Sequence, residues 1–105
     1  MAYRTHNFRE LKIWQLATEL SYDIYQLTAM FPRNEMFGLT NQLRRAVNSI
    51  SANIAEGCGR GTDAQLVNFL SIAQGSAFET ESHLYLAKQL DFIKEDKLNE
   101  VNTKL

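Results

Sequence analysis

GLTNQLRRAVNSISANIAEGCGRG, from Gly38 to Gly61, decides how the chain is read. Its apolar residues Leu39, Leu43, Ala46, Val47, Ile50 and Ile54 recur at steps of three and four, the spacing that puts side chains on one face of an α-helix. Beside that stripe runs a second line, Gln42, Arg45, Ser49, Asn53 and Glu56, at the same steps. One helix therefore carries a core face with a polar flank, and it ends at Gly57. The loop that follows, CGRG, brings an arginine to its turn.

Working outward, the segment FPRNE stops the preceding helix, because Pro32 disfavours helical geometry at Phe31 and has no N–H for the ladder. Upstream, Ile13, Ala17, Leu20, Ile24, Leu27 and Phe31 form a bundle seam, and residues 8–31 are predicted as the first helix. Met1 to Asn7 reads as an extended lead-in. Asn34 is placed to cap the second helix, residues 35–57. Thr62 or Asp63 caps the third, residues 63–90, with Leu66, Phe69, Leu70, Ala73, Ala77, Leu84 and Ala87 on one face. A short fourth helix occupies residues 95–105. No period-two alternation competes with these patterns. The prediction is an all-α domain spanning residues 1–105, an antiparallel up-down four-helix bundle. Gly75 lies inside the third helix, where glycine is unfavourable, and close packing is its expected use.

A chain of 105 residues builds one core, and 45% hydrophobic residues suffice to fill it. The formal net charge of −1 excludes binding by bulk basic charge, so any basic site must be local. The single cysteine, Cys58, excludes an internal disulfide and fits a reducing compartment. The N-terminus lacks the apolar core of a signal peptide, and no apolar run approaches the ~20 residues needed to span a bilayer. A cytoplasmic location is expected.

Helix one has a second apolar line, Leu11, Trp14, Tyr22 and Tyr25, and helix three adds Val67, Phe78 and Tyr85 off its core face. A bundle buries one stripe per helix, so these residues point to a subunit interface, the alternative being ordinary scattered exposure. Arg44, Arg45 and Arg60 are the best candidates for phosphate contact, since the guanidinium fork matches phosphate oxygens. Surface solvation and intersubunit ion pairs are the alternative. Arg44 and Arg45 sit about 100° apart around the helix and face different ways. Gln42, Asn53 and Glu56 suit a structural polar network between helices or subunits. A di-iron bundle site requires Glu-x-x-His pairs, whereas Glu79 and His83 are four apart, and no metal or cofactor is expected. The glycine loop lacks the lysine and hydroxyl residue of a P-loop, and Cys58 has no histidine at a recognisable spacing. No catalytic constellation emerges, and the chain is read as a non-enzyme.

Three segments, FRELKIWQLA, FPRNEMFGLTNQLRRAVNSISANIAEGCGR and FLSIAQGSAFETESHL, resemble the four-helix-bundle proteins related to those encoded in intervening sequences of bacterial 23S ribosomal RNA genes. The resemblance covers nearly the whole chain, and the middle segment is its specific part. It implies a left-handed four-helix bundle assembling as a ring-like homopentamer, with no established enzymatic activity. Relatives that serve diversity-generating reverse transcriptases are similar in fold and bind nucleic acid and the polymerase. With the arginines, the resemblance makes an oligomeric ribosomal-RNA-associated binding protein, its basic residues repeated around the ring, the leading expectation. A protein-interaction scaffold or accessory subunit with no direct nucleic-acid role is the alternative. RNA or a nucleic-acid-processing protein is the expected partner. It makes Arg44, Arg45 and Arg60 motif residues, and gives Asn53 and Glu56 a structural part. At the C-terminus the chain departs from the family, whose members usually continue the fourth helix beyond the point corresponding to Leu105.

Overall fold

The computed structural model describes residues 6–105 and places four α-helices on them, α1 (Lys12–Thr28), α2 (Leu39–Cys58), α3 (Asp63–Gln89) and α4 (Glu95–Asn102). There is no strand among the described residues. The first five residues of the expected lead-in lie outside them. His6 is tied down, its backbone N–H donating to the Cys58 carbonyl at 3.1 Å.

The helix starts differ from the pattern-based expectation for local reasons. Asn7 accepts from the Arg9 N–H and caps a 3-10 turn, Phe8–Glu10, after which Leu11 is extended and α1 begins only at Lys12. Before α2, Arg33–Glu35 forms another 3-10 turn, and the cap is Glu35 rather than Asn34: its Oε1 accepts from the Leu39 N–H at 3.1 Å. Gly38 makes this possible. A Cβ there would sit 2.9 Å from that same oxygen. Thr62 caps α3 as expected, accepting from the Gln65 N–H at 3.1 Å. Asp91, at φ 61°, turns the chain after α3, and the Phe92 N–H returns to the Ala87 carbonyl.

The core lies along α2, which packs on both α1 and α3. Ala17, Leu20, Ile24, Leu27 and Phe31 meet Leu39, Leu43, Val47, Ile50 and Ile54, with Leu98 and Val101 of α4 completing the cluster. The α3 face turned inward is built of small and polar residues: Ala73, Ser76, Thr80, Leu84 and Ala87 are buried, whereas Leu66, Phe69, Leu70 and Ala77 are only half-buried. Two seam assignments are corrected. Ile13, the second residue of α1, is exposed. Gly75 serves no close approach, since a Cβ there would meet nothing within 4 Å; Gly57 does, with Phe69 Cβ at 2.8 Å from its hypothetical Cβ.

Candidate functional site

The three arginines have three different settings. Arg44 is half-buried: its Nε donates to Thr28 Oγ1 at 2.9 Å and its guanidinium lies 4.6 Å from the centroid of the Tyr25 ring. Arg60 pairs with Glu56 one turn back and stacks on Phe69 at 4.9 Å. Arg45 is exposed on the rim of a groove of ≈ 360 Å³ with Gln42, Ser49, Ser76 and Glu79. At 1.5 Å per helical residue, Arg45 and Arg60 stand roughly 20 Å apart, so the three do not converge.

Gln42, Asn53 and Glu56 also separate. Asn53 Nδ2 donates to the Ser49 carbonyl and hydroxyl at 2.7 and 2.9 Å, and Ser76 Oγ of α3 donates to Ser49 Oγ at 2.9 Å. Gln42 borders the Arg45 groove, and Glu56 belongs to Arg60. The interhelical polar link is thus Asn53–Ser49–Ser76. Ser49 was visible on the polar flank of α2, but Ser76, which carries the link to α3, gave no signal of its own.

The second apolar line divides. Leu11 and Trp14 pack against the core, with Phe8 edge-on to Trp14 at 5.0 Å, so within one chain they already have partners. Tyr22 (66%), Phe78 (65%) and Val67 (64%) are exposed, as are Tyr25 and Tyr85. Val67 joins exposed Ile13 and Leu16 around an open apolar groove of ≈ 620 Å³ between α1 and α3, floored by Ile50 and Ile54 of α2. Sequence reasoning missed this groove because helical periodicity assigns a face to each helix, not a neighbour.

Little points to chemistry. Among the described residues no group of three His, Cys, Asp or Glu side chains could hold a metal ion. His83 Nε2 lies 3.3 Å from Glu79 Oε2, one turn away on the same helix. Cys58 is fully buried, and burial pushes its thiol pKa up, away from the reactive thiolate. No helix among the described residues is long and apolar enough to cross a membrane.

These features define an all-α, four-helix protein whose distinctive surfaces are apolar. A family profile described as 23S rRNA-intervening sequence protein matches residues 9–105, and the chain belongs to that family. It is also similar to the crystal structure, at 1.70 Å resolution, of a protein of unknown function from the S23 ribosomal protein family of Bacteroides thetaiotaomicron, with 27% identity and a TM-score of 0.81 over 88% of this chain and 86% of that one. No curated protein matches the sequence.

Proposed function

We propose that this chain is a non-enzymatic binding protein that works in the cytoplasm as a ring-like homo-oligomer, with its helices running alternately up and down. The observation that carries this reading is the quantity of large apolar side chain outside the core, notably Phe78 and Val67, together with the apolar groove between α1 and α3. Surfaces of this kind are the usual mark of association. Family membership supports a ring of five. The assembled ring serves as a scaffold or accessory subunit, docking a second protein on the faces left free.

A second reading, RNA contact, rests on Arg45, which is exposed and has no carboxylate within ion-pair distance among the described residues. A ring would repeat it several times despite the near-neutral chain. Against it, Arg60 is paired with Glu56 within the chain, and Arg44 and Arg45 face about 100° apart around the helix, so the arginines form no continuous track.

Light-scattering mass, alone and with a ribosomal RNA fragment at low and high salt, tests both. A multimer of about five that ignores RNA supports the scaffold; one that gains RNA mass only at low salt moves the assignment to RNA contact. A monomer overturns the oligomer. Ile13→Gln with Val67→Gln should leave helix content unchanged and lower the mass if the groove is part of the assembly.

A further inference from the structure

Among the described residues, Arg44 is a cation without a counterion. No carboxylate among the described residues lies within ion-pair distance of it, yet its guanidinium is held on two sides. Its Nε is committed to Thr28 Oγ1, which is fixed in turn because it donates to the Ile24 carbonyl at 2.7 Å and is 3% exposed. The ring of Tyr25 carries one face of the guanidinium, and Asn48 Nδ2 donates to the Tyr25 hydroxyl at 2.8 Å, fixing that ring. The side-on edge is therefore taken. What remains is the end-on pair of Nη groups, a fork whose two parallel donors match the two oxygens of a carboxylate. Because the group is already immobilised, binding loses little side-chain entropy.

We propose that the α1–α2 seam around Arg44 docks a partner protein through a carboxylate taken end-on by the two Nη groups, with Tyr22 and Tyr25 as flanking contact surface. This rests on the scaffold reading and names the chemistry of one of its faces. Tyrosine and arginine around one fixed charge are the composition of a protein-binding hot spot. A phosphodiester backbone calls instead for several cations in series. Here Arg45 points about 100° away around the helix, and Arg60 is occupied.

The test follows the Arg44 Nε–H signal by heteronuclear NMR on the full chain. The titrant is an amidated helical peptide of about 18 residues with a leucine stripe and one central glutamate. Its glutamine counterpart and a short oligouridine are run beside it. The glutamate peptide should shift the signal and bind about tenfold more tightly than the glutamine peptide, and Arg44→Lys should abolish that difference with helix content unchanged. Equal binding of the two peptides, a shift caused only by oligouridine, or no shift with any probe overturns the proposal. Failure of the underlying reading is seen separately, as a monomeric mass for the wild-type chain.

Discussion

α3 treats its two neighbours differently. Against α2 it places Ala73, Ser76, Thr80, Leu84 and Ala87, small side chains with one leucine, all buried. Toward α1 it offers Val67, Leu70 and Ala77 across a groove that stays open. Small residues let two helices approach until hydroxyls link across the seam, as Ser76 and Ser49 do at 2.9 Å. Bulky residues facing a gap have no such partner within the chain. The closed seam is accordingly where stability should reside, and the open groove is where association should.

The largest expected effect tests the seam directly. Leu84 is fully buried, and Leu84→Ala should cost about 2–5 kcal/mol in denaturant unfolding at fixed protein concentration. A loss well under ~1 kcal/mol would mean that the seam is loosely packed and that the contrast with the groove is wrong. Next come the two helical glycines. Gly57→Ala forces a methyl toward Phe69 Cβ at 2.8 Å, and overpacking of that kind costs about 1–3 kcal/mol. Gly75→Ala meets open space and should stabilise by about 0.5–1 kcal/mol, because alanine restricts the unfolded chain more than glycine does. The same substitution on the same fold thus takes opposite signs at the two positions. If Gly75→Ala destabilises instead, α3 has a partner on that side in the assembled protein.

These glycines also mark how far sequence reasoning reaches. The four helices were legible because Leu39 to Ile54 and Ala17 to Phe31 repeat at three and four. The α3 cap was legible to within one residue, Thr62 or Asp63, because its signal is local, and Thr62 takes it. The sequence marks Gly57 as a helix end and Gly75 as a mid-helix packing glycine, and the close approach falls at the other one: Phe69 crowds Gly57 and nothing crowds Gly75. Ile13 fits the α1 stripe by spacing and is exposed because the groove beside it is not filled within the chain. Asn34 lost the α2 cap to Glu35, whose longer side chain reaches the Leu39 N–H past a glycine. The candidate site was the least legible part. Thr28 and Tyr25, which hold Arg44, sit on another helix, and composition does not say whether an arginine is free, stacked or paired.

The smallest effect concerns α4, which is clipped at each end by a lysine and is followed by Lys104 and Leu105 on the border of the same groove. Lys88 of α3 pairs with Glu95 at its start, and Lys104, just past its end, pairs with Asp23 of α1 at 2.6 Å. The bonded glutamate raises the Lys88 pKa above its ordinary 10.5, and the hydrogen bond to Asp23 does the same for Lys104. A lysine whose pKa is higher folded than unfolded contributes stability in full below the unfolded value, and loses it as pH rises through the folded one. α4 should therefore loosen only in the alkaline range above about 10.5, with neutral and mildly acidic solutions alike holding it. Methyl NMR of Leu98 and Val101, the two buried residues of α4, reads this locally. In a Lys88→Met, Lys104→Met double variant the alkaline change in those signals should disappear. Both pairs are exposed, so salt should weaken them as well. An alkaline transition that persists in the double variant would remove the two lysine pairs as its cause, and α4 would then be held by Leu98 and Val101 alone.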